Sequence, residues 1–139
     1  MLDYNFSKIF TLEEANNSLP LVGRIVTDIL SVGAEIRNSL RGSGEKLTIV
    51  ENYDPRTFTK EQNQINHLMN ELTEIGCFYK DWNFTLGLID FPAVINNETV
   101  FLCWRSNESK ILYYHKIESG YTGRVPIPIK YQTIISEKS

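Results

Sequence analysis

Acidic, basic and imidazole side chains that could bind a ligand or transfer a proton concentrate between residues 90 and 124. Arginine guanidinium groups bind carboxylate and phosphate groups through paired hydrogen bonds, and an imidazole beside an acid can donate or accept a proton. If the fold gathers these side chains on one rim of a sheet, they form a pocket for a small anionic ligand. The candidate ligand-binding residues are Asp90, Arg105, Glu108, His115, Glu118 and Arg124.

Each candidate also has a purely structural interpretation. His115 is one of two histidines in the chain, and a single histidine often serves only as a hydrogen-bonding group. Asp90 precedes a Phe-Pro pair, so its carboxylate could cap a turn. Arg105 and Glu108 are close enough along the chain to form an ion pair within a hairpin, which contributes little at a surface.

The residue spacing does not complete a catalytic or metal-binding set. Histidines with metal-ligand spacing are absent, so we predict no metal ligands and assign no catalytic residues. Cys103 alternates with Trp104 in an extended segment, where a buried cysteine behaves as a small apolar side chain. Arg124 lies in a glycine-containing loop, from which it could reach an acid such as Asp90 or Glu118.

The composition is that of a single domain covering residues 1–139. Hydrophobic residues make up 42% of the chain, which is enough for a core. The net charge is -3 without a basic stripe, so no nucleic-acid partner is expected. The two cysteines are far apart, the N-terminus lacks a signal-peptide layout, and no apolar run reaches membrane-spanning length. We therefore expect a reduced, cytoplasmic protein without a membrane segment.

A long helix is predicted to follow Thr11, because Glu14 three residues later completes a capping box. Apolar residues then recur at spacings of three and four, a heptad stripe typical of a helix packed along another helix, as in a coiled coil. Pro20 removes one helical hydrogen bond, so we expect a kink there or a helix that restarts at Ser18. The stripe contains Leu12, Ala15, Leu19, Val22, Val26, Ile29, Gly33, Ile36 and Leu40.

A second helix is predicted to begin with Thr57 or Thr59 as its N-cap and to end at Gly76. The two helices would form a long antiparallel helical hairpin over about residues 11–76. Their connection is long, and its segment LTIVENY could form a short extended piece. The apolar face of the second helix contains Phe58, Ile65, Leu68, Met69, Leu72 and Ile75.

After Gly76 the hydrophobic pattern changes from helical to extended. This pattern predicts a small antiparallel β-meander and a C-terminal loop over about residues 77–135. The tail GYTGRVPIPI is too rich in glycine and proline for a central strand. The fold class is therefore α+β, with one face of the meander packed on the helical hairpin. In the segment TVFLCWR, one face holds Val100, Leu102 and Trp104, and the other holds Phe101, Cys103 and Arg105.

Five sequence blocks cover nearly the whole chain in the order FTLEEANNSLPLV, LTEIGCFYKD, GLIDFPAV, VFLCWR and YYHKIESGYTGRVPI. Together they resemble the uncharacterised bacterial family catalogued as domain of unknown function 2203. The family has no established activity to carry over. The chain departs from the family pattern at Tyr114 and Lys116, where a Trp and an acidic residue are typical. The resemblance implies that the typical blocks fall on residues 14–16, 90–92 and 103–105, on Glu108 and His115, and on residues 120–126.

These observations favour a dimeric binding or regulatory module with a polar rim on its sheet. A long, narrow helical hairpin rarely buries all its apolar surface against one small sheet, so we expect a homodimer formed through the hairpin. The alternative is a small metal-dependent or hydrolase-like enzyme centred on His115, with Asp90, Glu108 or Glu118 as its acid. A purely structural assembly protein is the third possibility, and no cofactor is assigned.

Overall fold

The computed structural model describes residues 6–40, 60–81 and 86–132, which form two long helices, a five-stranded antiparallel sheet and a short helical segment at residues 129–132. The α+β prediction is confirmed. The strands are hydrogen-bonded in their order along the chain, as in a meander. The elements are α1 (Leu12–Leu40), α2 (Lys60–Ile75), β1 (Phe78–Tyr79), β2 (Leu88–Ile95), β3 (Glu98–Arg105), β4 (Tyr113–Lys116) and β5 (Val125–Pro126), with a 3-10 turn at Tyr121–Gly123 before β5.

Helix α1 begins with the predicted capping box. The Thr11 amide donates to Glu14 Oε1 at 2.9 Å, and the Glu14 amide donates to Thr11 Oγ1 at 3.0 Å. Pro20 lies inside a helix that runs without interruption from Leu12 to Leu40, so a restart at Ser18 does not occur. The φ angle of proline is compatible with a helix, and packing along the rest of α1 offsets the single hydrogen bond that Pro20 removes.

Helix α2 ends at the predicted stop signal. Gly76 follows Ile75 with a φ of 111°, and the amides of Gly76 and Cys77 both donate to the carbonyl of Leu72. The buried side chains of α2 are Ile65, Leu68 and Leu72, all on the predicted apolar face. Phe58, both proposed N-caps and the segment LTIVENY lie outside the described residues. The two helices contact each other, and their antiparallel hairpin arrangement remains a prediction.

The strands β2 and β3 form a hairpin closed by Asn96 and Asn97. Both residues have positive φ angles, 52° and 63°, as a two-residue turn with the right-handed twist of a hairpin requires. Strand β4 is shorter than the predicted segment KILYYHKI. The glycine- and proline-rich tail supplies only the two-residue edge strand β5, which agrees with its exclusion from the centre of the sheet.

The two faces of the sheet differ in what covers them. The inner face joins the buried stripe of α1 in one hydrophobic core, which also includes the buried residues of α2. We call the opposite side, which carries Asp90, Phe101, Cys103 and His115, the outer face. Within the described residues, no helix combines the length and apolar character needed to cross a membrane. The inner-face residues in the core include Ile89, Phe91, Ala93, Val100, Leu102 and Trp104.

Candidate functional site

Three neighbouring strands place chemically active side chains together on the outer face. Asp90 of β2 lies directly opposite Cys103 of β3. His115 of β4 lies opposite Phe101, which is two residues before Cys103. Residues that face each other across a sheet point to the same side, and diagonal neighbours remain within reach of each other. The side chains of Asp90, Cys103 and His115 therefore form one cluster.

The cluster is buried although it lies on the face opposite the main core. Asp90, Cys103 and His115 expose only 4%, 1% and 3% of their surfaces. The ring of Phe6, from the segment that precedes α1, packs edge-on against Phe101 with 5.5 Å between the ring centroids. Partial exclusion of water lowers the local dielectric, which strengthens the electrostatic interactions within the cluster.

The Asp90 and His115 side chains share a proton. Nε2 of His115 lies 3.0 Å from Asp90 Oδ1, and Nδ1 lies 2.8 Å from the Lys116 carbonyl oxygen. A carbonyl oxygen only accepts hydrogen bonds, so Nδ1 must carry a hydrogen. An ionised Asp90 also only accepts, which requires a charged imidazolium, whereas a neutral ring requires Asp90 to donate. In either state one proton lies between the two side chains.

The pKa of His115 is raised above its ordinary value of 6.5. Burial acts against this, because it penalises the charged ring, and the charge of Lys80 acts in the same direction. The hydrogen bonds to Asp90 and to the Lys116 carbonyl, together with the negative charge of Asp90, outweigh both effects. The charged form of His115 is therefore favoured at pH 6.5.

The Cys103 thiol is a poor nucleophile in this environment. Burial, followed by the nearby charge of Asp90, raises its pKa to about 12. The positive charges of Arg124 and Arg105 act in the opposite direction without offsetting that rise. Because the thiolate is the reactive form of cysteine, the thiol is inert near neutral pH. The interpretation of Cys103 as a small buried side chain agrees with this state.

The same three residues also offer three metal-ligand atoms. A carboxylate oxygen of Asp90, Sγ of Cys103 and a ring nitrogen of His115 all lie within 4.8 Å of one another. The sequence predicted no metal ligands, because these residues come from three strands and have no characteristic spacing along the chain. Their proximity depends on the register of β2, β3 and β4.

A cavity of about 220 Å³ adjoins the cluster. Lys80, which sequence analysis did not select, lines it beside His115. Its ammonium group lies 5.5 Å from the ring centroid of Phe101 and 5.7 Å from that of Phe78, a cation–π arrangement. The position of Lys80 directly after strand β1 gives no signal in the sequence, since many exposed lysines follow strands. The lining residues are Lys80, Leu88, Asp90, Phe101, Cys103, His115, Ile117 and Gly120.

Glu108 and Arg124 form a second charged pair. Arg124 Nη2 donates to both carboxylate oxygens of Glu108, at 2.9 and 3.1 Å, and to the Cys103 carbonyl at 3.1 Å. The expected partners of Arg124, Asp90 and Glu118, are therefore wrong. The expected ion pair between Arg105 and Glu108 is also wrong, because the Glu108 carboxylate accepts instead from the Arg105 backbone amide at 2.8 Å. The turn after β3 folds Glu108 back over the end of that strand.

Asp90 and Glu118, which were also predicted as site residues, lie in different parts of the sheet region. Asp90 is not a turn cap but lies inside β2, paired with Phe78 on one side and Cys103 on the other. Pro92 is tolerated in the same strand because β1 pairs only with Ile89 and Asp90, which leaves Pro92 beyond its reach. Glu118 is exposed in the turn after β4. The structure thus unites Asp90 with His115 and leaves Glu118 apart.

A larger groove of about 690 Å³ lies beside the first turns of α1. It is lined largely by apolar and amide side chains, with Glu13 and Lys110 as its charged groups. Asn16 closes part of it by accepting a hydrogen bond from the Ile111 amide at 2.8 Å. The groove brings together no acid–imidazole pair, so it lacks the chemistry of the outer-face cluster.

No curated protein and no solved structure matches the chain. A family model described as "Uncharacterized conserved protein (DUF2203)" matches residues 8–127, which span both helices and all five strands. The match includes every residue of the outer-face cluster and its cavity. The chain therefore belongs to the DUF2203 family of uncharacterized conserved proteins.

Proposed function

We propose that the protein is a binding module whose ligand is a small molecule with an anionic group, held at the outer-face cavity. The observation that carries this proposal is that Lys80 and His115 line the same small cavity. Hydrogen bonds from a cation to a carboxylate or phosphate are roughly twice as strong as those between neutral groups. A cavity of about 220 Å³ is of a size for a small ligand or for one end of a larger one.

The charge balance around the cluster favours an anion over a cationic organic ligand. Four basic side chains lie in this region against two carboxylates, whereas the whole chain carries a net charge of -3. Such a local excess of positive charge attracts anions. The basic residues are Lys80, Arg105, His115 and Arg124, and the acids are Asp90 and Glu108.

Lys80 is available for a ligand. Asp90 holds Nε2 of His115, and Glu108 holds the guanidinium of Arg124. Among the residues that the structure describes, no carboxylate lies within ion-pair distance of the Lys80 ammonium. The proposed anion site therefore depends on Lys80 and differs from the pocket with two arginines expected from the sequence.

Amide chemical-shift mapping tests this proposal. Titration of isotopically labelled protein with inorganic phosphate, and separately with acetate, should shift amides of β1, the first half of β2, and residues 101–103 and 115–120. Lys80→Gln should weaken binding about 10-fold or more, because it removes a charge-assisted hydrogen bond. Lys110→Gln is the matched control, since Lys110 is exposed and lines the larger groove.

Two results would contradict the proposal. One is a set of shifts centred on the larger groove, around Asn16 and Ile111. The other is equal loss of phosphate and acetate binding in Lys80→Gln and Lys110→Gln, which would indicate only nonspecific attraction of anions.

A second candidate function is a small hydrolase-like or metal-dependent enzyme centred on His115. The Asp90–His115 pair favours it, because an acid that orients an imidazole beside a cavity is a common arrangement for proton transfer. An enzyme would have to free Nε2 from Asp90 when its substrate binds. Binding without turnover requires no such change, and for that reason binding is the first proposal.

The homodimer and the cytoplasmic location belong to the same proposal. Most of the apolar stripe of α1, including Ala15, Val22, Val26, Ile29 and Ile36, is buried within one chain, so we place the dimer interface on other helical surface. Leu21 offers such a surface, since it lies on α1 with 51% of its surface exposed. A regulatory role would couple the ligand on the outer face to this helical surface through the sheet.

A further inference from the structure

We infer that Asp90, Cys103 and His115 form a binding site for one divalent transition-metal ion of the zinc class. The three side chains supply an oxygen, a sulfur and a nitrogen atom, all of which zinc binds in proteins. Their ligand atoms lie within 4.8 Å of one another, and each residue is at least 96% buried. The inference deepens the proposed function and rests on it only in placing the ligand at the same cavity.

A tetrahedral ion requires His115 and Asp90 to separate slightly, and any pair of ligand atoms as far apart as 4.8 Å to approach by about 1 Å. Bonds of about 2.0–2.3 Å to zinc place neighbouring ligand atoms about 3.3–3.7 Å apart. His115 Nε2 and Asp90 Oδ1 lie 3.0 Å apart, so they need to separate by only a few tenths of an ångström. Rotation about the side-chain bonds of Asp90 provides this movement without a change in the strand.

The ring of His115 is already oriented as in a metal site. Its Nδ1 donates to the Lys116 carbonyl at 2.8 Å, which leaves Nε2 as the ligand atom. Histidine ligands nearly always donate their other ring N–H to a carbonyl or carboxylate, and this bond fixes the ring orientation. The carbonyl belongs to a residue at the end of β4, so the support is backbone rather than a mobile side chain.

The three ligands can neutralise a divalent ion. Metal binding requires the thiolate of Cys103 and the neutral ring of His115, and the carboxylate of Asp90 supplies the second negative charge. The ion would replace the proton shared by Asp90 and His115, and the Cys103 proton would leave to solvent. Two negative ligands and one neutral ligand balance the charge of the ion, which lowers the cost of burying it.

The fourth coordination position would face the cavity. Three protein ligands with one open position are typical of zinc sites that take water or a substrate group. Lys80 lines the same cavity, so an anionic group bound to the ion would also meet the ammonium. The anion-bearing ligand of the proposed function would then bind to metal and Lys80 together.

The test uses the full chain, stripped of metal with a chelator and then dialysed against zinc alone or cobalt alone. Native mass spectrometry should find one zinc per chain after removal of excess metal. Cobalt should give the intense visible bands of a tetrahedral site and a thiolate-to-cobalt charge-transfer band in the near ultraviolet. The charge-transfer band shows directly that a sulfur atom binds the cobalt, and this can be observed in the wild-type protein alone.

The chain contains one cysteine and one histidine outside the site, Cys77 and His67, which serve as matched controls for Cys103 and His115. Cys103→Ala and His115→Gln should weaken zinc binding more than the 10- to 100-fold loss typical of changes outside the ligands. Cys77→Ala and His67→Gln should leave it unchanged, since Cys77 is buried against the end of α2 and His67 is exposed. Circular dichroism of each variant identifies any that fail to fold.

Several results would overturn the inference. They are wild-type protein without stoichiometric zinc, a cobalt complex without the charge-transfer band, or equal zinc loss in the site variants and their controls. The Lys80→Gln variant separates the two proposals. If the wild type binds both zinc and phosphate and Lys80→Gln loses only phosphate, both proposals stand. A wild type that binds zinc but not phosphate leaves only the metal site, and a wild type that binds phosphate but not zinc leaves only the anion site.

Discussion

At the scale of the residue, the Asp90–His115 pair determines how this site behaves. The two side chains are 3.0 Å apart, and they expose only 6% and 3% of their side-chain surfaces. Removal of one member of a buried pair leaves the other charge without compensation, which is more costly than loss of the attraction alone. The pair therefore contributes to the stability of the fold as well as to the chemistry of the site.

We expect His115→Ala to lower the free energy of unfolding by about 3–5 kcal/mol in metal-free protein, because Asp90 would remain buried and unpaired. The matched control is His67→Ala. His67 forms an exposed pair with Glu71 at 3.5 Å, and loss of such a pair costs about 0–1 kcal/mol. Urea denaturation of the three proteins in the presence of a chelator measures both values. Equal effects of the two substitutions would contradict the burial and pairing described for His115.

The raised pKa of His115 predicts how this contribution changes with pH. A folded-state pKa above the unfolded value means that the folded protein binds the proton more tightly. The stabilisation is therefore complete below about pH 6.5, the unfolded value, and it is lost as the pH rises through the folded pKa. The difference in unfolding free energy between wild type and His115→Gln, measured from pH 5.5 to 9 with a chelator, should decrease as pH rises. A difference that grows with pH would mean that the ring is held neutral.

The sequence indicated some of these residues and not others, for physical reasons. Asp90 and His115 were selected by chemical type, but their pairing depends on strand register, which local spacing does not encode. Cys103 was interpreted as inert because an alternating strand usually buries cysteine as an apolar side chain. Its place beside Asp90 follows only from the pairing of β2 with β3.

At the scale of the element, short-range signals were the most predictable. The capping box at Thr11 and the stop at Gly76 formed as expected, since each depends on residues within one turn of the helix. The turn at Asn96 and Asn97 is equally local. The partners of Arg124 were predicted wrongly, because the path of the chain after β4 decides which acid it reaches.

Gly87 controls how closely the start of β2 approaches α1. A Cβ atom at Gly87 would overlap Cγ1 of Val26 and would lie 3.1 Å from Cβ of Ser106. We expect Gly87→Ala to lower the free energy of unfolding by about 1–3 kcal/mol through this overpacking. Gly23→Ala in α1 is the control, because its Cβ would lie 3.8 Å from Trp104 and alanine favours a helix by about 1 kcal/mol. Thermal unfolding should show opposite shifts, and a neutral Gly87→Ala would contradict this packing of β2 against α1.

At the scale of the whole molecule, the sheet separates two environments. Its inner face completes the core with α1, and its outer face carries the charged cluster and the cavity. Among the described residues, Leu21 of α1 exposes 51% of its surface, and the proposed dimer would use this part of the helix. The sequence predicted a dimer from the heptad stripe, but most of that stripe, between Ala15 and Ile36, is buried within one chain.

We expect formation of the proposed homodimer through α1 to require the apolar side chain of Leu21. Leu21→Glu should place a charge in the interface and convert the dimer to a monomer in sedimentation equilibrium. Ile129→Glu is the control, since Ile129 is 74% exposed and lies outside both helices. A wild-type monomer, or a dimer unaffected by Leu21→Glu, would contradict an interface at this part of α1.

A crystal structure of the full chain, grown with zinc and soaked in phosphate, would show whether the functional site lies on the outer face at the cluster of Asp90, Cys103 and His115. The data would be collected at the zinc absorption edge. We expect an anomalous peak between these three side chains and phosphate density between that peak and Lys80. Density only in the larger groove beside Asn16, with none on the outer face, would contradict this expectation.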